Sequence, residues 1–566
     1  MKKIILSFLL CSVLCLCASA TPPENPTIKI GLYYSSSALP SANLQNAVGS
    51  GYTLGQYDSA RNFMPIFEIY DERISMLSDM NFYHYDATFY QSGAPENSQV
   101  IGAFHLQVLG AYQTPDEAKA MATSLRMRGH SAFSAWQNGQ YVVRVGHYTN
   151  LAAANSAAQS GSIGIDAIAM GNGKQTITVV NTVSGEILFE LDGTLGIQPI
   201  GSNSITWFKG YKYYGGFEYT RNAGNITVCN VVTMQDYVKG VLPYEMSASW
   251  PQEALRAQAM CARTYAYAGI GKHDGFDLCN STHCQVYRGT NSASANSDLA
   301  VDSTNGMYIL YEGAPISAVY HSSNGGATED SENVWGGKNA YLRGVKDPYE
   351  DLDAATNGRW TEEYTGEEIQ AILNSKGYQI GKVVEVRPVY TAMGNMLSMT
   401  FVDAMGKEVV VQKSATRSIL NSDSLGKHTY SQRFTIVKKG SVMIPNPTAP
   451  SVGGVLYVNA GYTVPLTNQV AVIGKNGRVQ TLENGDKVVV LSADGTSTYP
   501  VGSGGAVTTE PQVSGSSSSN SFIVNGTGWG HNVGMSQNGA KGMANKGFTG
   551  EEIVHFYYTD VTISNS

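Results

Sequence analysis

AFHLQVLGAYQTPDEAKAMATSLRMRGHSAFSAWQNGQYVVRVGHY occupies residues 103–148, and its changes of hydrophobic period set the fold class. Phe104, Leu106 and Val108 alternate with polar residues, the period of a half-buried strand. The period then lengthens. Ala118, Met121 and Leu125 recur at helical spacing between Thr114-Pro115, a cap followed by a first-turn proline, and Gly129. Two more strands flank Asn138-Gly139, a hairpin signal. NLAAANSAAQ, residues 150–159, predicts a second helix. The order β-α-β-β-α describes a small open sheet with helices on one face. The chain as a whole reads as α+β and multidomain.

Its length of 566 residues is enough for about two to four domains. The 61 glycines, 34 tyrosines and 14% charged residues point to a turn-rich exported protein, not a coiled coil or a disordered chain. The net charge of −8 gives no electrostatic reason to expect nucleic-acid binding. Lys2 and Lys3, the apolar run from Ile4 to Cys17, and Ala18-Ser19-Ala20 form a secretion signal over 1–20, with cleavage before Thr21. A secreted or cell-envelope protein is therefore expected. No later stretch is long and apolar enough to span a bilayer. Four cysteines remain after cleavage (Cys229, Cys261, Cys279 and Cys284), too few for a disulfide scaffold.

Outward from the opening stretch, TIKIGLYY follows the Pro-rich TPPENP and reads as a strand; the rest of 21–97 carries no motif. Strands with turns at Asp192-Gly193 and Ala223-Gly224-Asn225 fill 175–235. IPNPTAP, 444–450, is a linker. Turns at Asn476-Gly477, Asn484-Gly485 and Asp494-Gly495 then separate short strands, and SGSSSSNS, 514–521, is a flexible tether.

Chemistry concentrates in four places. In GVLPYEMSASWPQEALRAQAMCARTYAYA, 240–268, Glu245 is the one carboxylate ahead of an alanine-rich helix whose Leu255, Ala259, Ala262 and Ala266 share a face. Pro243 and Pro251 place it on a constrained loop tucked against that helix. Partial burial would raise its pKa and suit it to general acid work; the alternative is a structural carboxylate bonded to backbone N–H groups near the helix start. HDGFDLCNSTHCQVYRG, 273–289, supplies His273, Cys279, His283 and Cys284, the donor types of a tetrahedral zinc site. A Cys279–Cys284 disulfide and a Cys/His nucleophilic pair are the other two readings. YHSSNGGATEDSENVWGG, 320–337, joins a His-Ser-Ser run to a Gly-Gly turn with Trp335 downstream. GTGWGHNVGMSQNGAKGMA, 526–544, has glycines that permit close approach to a ligand, a Trp529 face for a sugar ring, and His531 and Gln537 for hydrogen bonds.

Two resemblances follow from these residues. LQVLGAY, the helix carrying Ala118 and Leu125, and YVVRVGHY resemble the SPOR domain, which binds bacterial glycan strands stripped of stem peptides. That resemblance gives a domain over 98–165, with Gln107, Tyr141 and Arg144 on an exposed sheet face as glycan contacts. VVTMQDYVKGVLPYEMSASWPQEALRAQAMCARTYA, STHCQVYRG, SSNGGATEDSENVWGG and GWGHNVGMSQNGAKGMA occur in the order found in the stage II sporulation protein D (SpoIID/LytB) family. It implies a SpoIID-like catalytic domain in two parts, 166–435 and 522–566, interrupted by a β-rich insertion and tether over 436–521, with 21–97 joined to it. It also implies a peptidoglycan lytic transglycosylase, or a non-catalytic enhancer of an N-acetylmuramoyl-L-alanine amidase. The family's catalytic glutamate falls on Glu245 and its zinc ligands on His273, Cys279, His283 and Cys284, the metal being structural. The substrate contacts are then Arg263, Tyr265, Ser323, Gly325, Gly326, Trp529, His531 and Gln537. Asn532 departs from the family pattern, which has glycine there, but asparagine tolerates a left-handed backbone. A lytic transglycosylase needs only one carboxyl group, because the sugar's own C6 hydroxyl attacks, whereas ordinary glycosidases use two. A cysteine peptidase built on Cys284 and His531 is the third function class. The partners implied are glycan strands and a cell-wall amidase.

Overall fold

The structure is a computed structural model. It describes residues 22–171, 175–222, 224–439 and 520–564, together with the backbone of strands between 455 and 500. The expected signal at 1–20 and the linker at 444–450 lie outside the described residues, as do the turns at 476–477 and 484–485 and most of the 514–521 tether.

The elements that position the site run in this order: β1 (Thr27–Tyr33), β2 (Phe104–Val108), α1 (Pro115–Met127), β3 (Ala132–Gln137), β4 (Gln140–Tyr148), α2 (Leu151–Gln159), β5 (Ile187–Asp192), β6 (Asn225–Thr233), α3 (Met234–Glu245), α4 (Gln252–Ala268), β7 (Leu278–Cys279), β8 (Tyr320–His321), β9 (Met535–Ser536), α5 (Gln537–Asn545) and α6 (Gly550–Tyr557).

Two compact units divide the chain, one of residues 1–359 and 527–566, the other of 360–526. In the first unit a seven-stranded sheet holds β1 between β6 and β7. β1 runs antiparallel to β6 and parallel to β7, where Gly31 stands opposite Cys279. The opening strand TIKIGLY is thus the partner of the short strand that carries a candidate metal ligand.

A ten-stranded sheet in the same unit contains β2, β3 and β4. Thr114 caps α1 in a capping box with Glu117, and Pro115 opens the helix, as the sequence predicts. Asn138 and Gly139 both take positive φ (49° and 79°), the requirement of a type I′ hairpin between β3 and β4. Ala118, Ala122 and Leu125 of α1 and Ala154 of α2 are buried in one core with Leu106, Val143 and Val145. The strand Ala167–Met170 then adds to β2. This small sheet does not end there: β3 pairs in parallel with β5, so its strands continue into the larger sheet.

The second unit has its own apolar core, including Tyr364, Ile369, Phe401, Phe434, Phe522 and Val524. The strand Phe434–Lys438 pairs with Ser521–Thr527, Phe434 opposite Gly526 and Lys438 opposite Phe522. The strands on either side of the stretch 440–519 therefore pair in one sheet. The compact unit begins at Trp360, well before the expected insertion boundary at 436, because 360–435 shares its core with the strand that follows the tether. Within the stretch expected to be β-rich, backbone strands pair as hairpins: Val455–Val458 with Tyr462–Pro465, Val470–Ile473 with Val479–Leu482, and Lys487–Ser492 with Gly495–Pro500. Among the described residues no helix is long and apolar enough to cross a membrane.

Candidate active site and metal cluster

Glu245 is the last residue of α3, not a loop residue. The helix runs through Pro243, whose missing N–H removes one i→i−4 hydrogen bond from the last turn. Glu245 Oε1 accepts the backbone N–H of Val286 at 2.9 Å. Burial pushes its carboxyl above the ordinary range, while the Val286 N–H and the Tyr320 side chain pull it back. Neighbouring polar groups are tied together. Tyr320 O–H donates to Gln285 Oε1 (2.9 Å), and Gln285 Nε2 donates to the Tyr237 hydroxyl and the Ala262 carbonyl (both 3.2 Å). Gln285 is buried, so these bonds fix the segment between the cysteine loop and Glu245. Tyr320, Gln285 and the Val286 amide were not singled out from sequence. All three lie inside quoted motifs, but only the fold aims them at Glu245.

β8 carries Tyr320 and pairs in parallel with β9. His531 Nε2 bonds the Tyr320 carbonyl (2.9 Å), and Val533 N–H donates to His531 Nδ1 (3.2 Å). A carbonyl accepts and an amide donates, so the pair assigns the proton of the neutral ring to Nε2. The His531 ring stands 5.1 Å from the rings of both His321 and Trp335. Trp335 and Trp529 are 46% and 39% exposed, leaving two indoles open to a sugar.

The two Gly-rich motifs pack on each other. Ser323 and Trp529 exchange backbone hydrogen bonds (3.0 and 2.8 Å). A Cβ on Gly528 would lie 2.7 Å from Gly325 N, and one on Gly325 2.5 Å from Thr527 Oγ1. These glycines are required by the close approach of one loop to the other, which corrects the expectation that they make room for a ligand. Asn532 adopts φ 63°, the left-handed backbone its position demands.

His273, Cys279, His283 and Cys284 offer donor atoms that all lie within 4.8 Å of one another. His273 Nε2 is 3.3 Å from Cys284 Sγ, and His283 Nδ1 is 3.6 Å from each sulfur. A zinc tetrahedron with bonds of about 2.0–2.3 Å has edges of about 3.3–3.8 Å, so the donor types and these three spacings suit that ion. Adjacent His283 and Cys284 both reach the cluster, and the four described cysteines are free thiols. Burial raises the Cys279 thiol, but bonds from Ser281, Cys284 and His283 outweigh it and pull the pKa down. Phe276 stacks on His273 at 4.7 Å, and Asp277 accepts N–H bonds from Lys29 and Gly271 and pairs with Arg61, anchoring the loop to β1.

The family model of the stage II sporulation protein, SpoIID, matches residues 222–311, and that of the SPOR domain matches 101–166. The chain carries a SpoIID domain and a SPOR domain. Glu245 and the His/Cys cluster fall inside the SpoIID span. Among curated proteins, an uncharacterised protein of Brachyspira hyodysenteriae is 34% identical over 191 residues, 31% of this chain and 51% of its own length. The amidase enhancer of Bacillus subtilis is 29% identical over 331 residues, 58% of this chain and 40% of its own. Stage II sporulation protein D of the same organism is 29% identical over 177 residues, 28% and 51% of the two chains. The chain thus spans about half or less of the length of these relatives.

Several expected contacts turn out to be internal. Arg263 is wholly buried; its guanidinium donates to Gln235 (3.0 Å), the Val301 carbonyl (3.3 Å) and Thr304 (3.4 Å), so it cross-links the SpoIID helices instead of meeting substrate. Gln537 is buried and donates to Gln258 Oε1 (3.3 Å). Ser323 is buried too and Gly325 packs on Thr527, whereas Gly326 is half-buried with open space beside its Cα. Tyr265, half-exposed under Lys272, together with Trp529 and His531 remains where a substrate can meet it. In the SPOR domain, Tyr141 and Arg144 are three residues apart on one strand and point to opposite faces. Tyr141 is buried, its O–H donating to the Ile66 carbonyl at 2.6 Å. Arg144 is buried in ion pairs with Glu190 (2.7 Å) and Asp192 (3.5 Å) of β5, and Gln107 stands opposite it on β2. The expected glycan-binding trio is therefore not a shared exposed face: the larger sheet supplies acidic partners that consume the arginine.

Proposed function

We propose that the chain is an exported cell-wall enzyme that cleaves peptidoglycan glycan strands, preferably strands stripped of stem peptides, by lytic transglycosylation. The observation that carries this reading is Glu245: one carboxyl at a helix end, raised by burial, accepting the Val286 amide and facing the Tyr320 phenol. In its acid form it protonates the oxygen leaving the muramyl C1, and the C1–O bond breaks. The sugar's C6 hydroxyl attacks C1, and the Glu245 carboxylate takes that hydroxyl's proton. A 1,6-anhydro end forms, no water is consumed, and the carboxyl returns to its starting state.

In this reading the SPOR domain holds the glycan and the SpoIID domain cuts it. His273, Cys279, His283 and Cys284 would hold zinc. The ion would supply cross-linking of the loop that ends in Val286, contributing folding energy and no chemical step. The match to a protein named amidase enhancer favours a second reading, a non-catalytic partner of a cell-wall amidase. Incubating the purified chain with amidase-treated and intact sacculi separates them. Release of soluble glycan, faster from the denuded material, is expected. No release from either, with stimulation of an added amidase, would favour the enhancer.

A further inference from the structure

The turn after β8 is held from below by two carboxylates that the proposed reaction does not use. Glu350 Oε2 accepts the backbone N–H groups of Asn324 (3.1 Å) and Gly325 (3.0 Å). Asp347 Oδ2 accepts Asn324 Nδ2 (2.6 Å) and the Tyr557 hydroxyl of α6 (2.5 Å). The same turn is gripped from above. Asn532 Nδ2 donates to the Asn324 carbonyl (2.8 Å), and Thr527 Oγ1 donates to the Gly325 carbonyl (3.0 Å). Four residues earlier the chain carries Tyr320, which faces Glu245, and one residue earlier Ser323, which is locked to Trp529. Any change in the turn is therefore passed to both ends of the site.

We propose that Glu350 is a positioning residue for the Glu245 site: its carboxylate, as the anion, holds the Asn324–Gly325 turn in the shape that sets Tyr320 beside Glu245 and Trp529 beside the sugar. The inference rests on the acid/base reading of Glu245. An anionic acceptor strengthens both N–H bonds, because charge-assisted hydrogen bonds are about twice as strong as neutral ones. The other oxygen, Oε1, is buried and lacks a formed hydrogen bond, although the Ser323 hydroxyl lies beside the carboxyl. The titratable groups facing Glu350 are Asp347 on its own loop and Tyr557 on α6. Burial first, and then the Asp347 charge, push Glu350 up to about 7, against the pull of Ser323 and the two amides. The anion is thus gained as pH rises through neutrality; global stability falls in that direction because the folded chain holds the proton more tightly, but opening the turn alone, which forfeits the two amide bonds that favour the anion while Glu350 stays buried, becomes harder.

The test pairs a structural with a kinetic readout on the full chain. Amide hydrogen exchange of the segment 320–328, corrected for intrinsic rates, is followed from mildly acid to mildly alkaline buffer in the parent, Glu350→Gln and Glu350→Ala. Protection in the parent should rise through a transition near neutrality, and kcat/KM on denuded glycan should show an acid limb at the same pH. Glu350→Gln keeps two acceptor lone pairs but cannot ionise, so both transitions should vanish while partial activity remains. Glu350→Ala should lose on the order of a hundred-fold in kcat/KM, the scale of an ångström-sized misplacement. Identical pH profiles of exchange and of kcat/KM in the parent and Glu350→Gln would overturn the proposal. A parent that never turns over would count against the transglycosylase reading instead, and the exchange transition alone would then decide the role of Glu350.

Discussion

The Val286 amide donates to Glu245 Oε1 at 2.9 Å, only two residues after Cys284 closes the His/Cys cluster. The His/Cys loop and the candidate acid are therefore mechanically one unit. What orders the loop sets the hydrogen bond that tunes the carboxyl.

Metal content follows from that link. Protein purified without chelator should contain about one zinc per chain by elemental analysis, since two thiolates and two imidazoles form a complete tetrahedral set. Cys279→Ser should lower the melting temperature by on the order of 5–10 °C, as loss of a structural ligand in a domain of this size would. It should also slow turnover through Val286. An oxidised Cys279–Cys284 pair with no metal would contradict the assignment.

Tyr320→Phe removes the hydroxyl that donates to Gln285 and helps to lower the Glu245 pKa. Turnover should fall by about ten-fold, less than the roughly hundred-fold or more of losing a general acid–base outright. The alkaline limb of the pH profile should move to higher pH, because Glu245 loses a group that favours its charged form. A reduced rate with an unmoved limb would show that Tyr320 acts by packing alone.

Glu245 also has a stability signature. Its folded pKa is raised, so the stability it contributes is full below the ordinary carboxylate pKa and is lost as pH rises through the folded value. Glu245→Gln carries no such loss. Its melting temperature should match the parent in acid and exceed it at neutral pH. The reverse ordering would mean that Glu245 is stabilised as an anion, the structural-carboxylate reading.

In the SPOR domain, Arg144→Ala leaves Glu190 buried with His105 as its remaining ionic partner. Breaking such a pair costs about 3–5 kcal/mol, visible in denaturant unfolding. Burial raises Glu190, but His105 and Arg144 outweigh it and hold the carboxyl at about 2. Its contribution is therefore present above the ordinary carboxylate pKa and is lost as pH falls towards about 2. An Arg144→Ala variant that unfolds like the parent at neutral pH would contradict this account.

Local signals in the sequence carried over where the chain's own neighbours decide the outcome. The Thr114 cap, the Asn138-Gly139 hairpin and the buried face of α4 depend on residues a few positions away, and they are as read. The four zinc-type donors come together because their loop is short. Errors arose where distant strands intervene. The SPOR resemblance implies a glycan contact at Arg144, but Glu190 arrives from 46 residues away and buries it. Arg263, a substrate contact in the SpoIID resemblance, is likewise taken by Gln235 and Val301, 28 and 38 residues away. Glu253, in the first turn of α4, accepts the Gly550 N–H at the head of α6 from 297 residues away. Gln285 and Tyr320 were illegible because a lone polar residue acquires a role only when β8 and the cysteine loop meet.

The central claim is that Glu245 alone carries the proton transfers of a reaction that consumes no water. Mass spectrometry of the products from purified, peptide-free glycan tests it most directly, with the parent and Glu245→Gln compared at equal concentration. The parent should yield fragments ending in 1,6-anhydro-muramyl residues. The variant, folded and still bound to glycan, should yield them at least about a hundred-fold more slowly, the scale of a lost general acid–base. Anhydro-ended fragments released by Glu245→Gln at the parent rate, or reducing ends formed by water in the parent, would contradict the account.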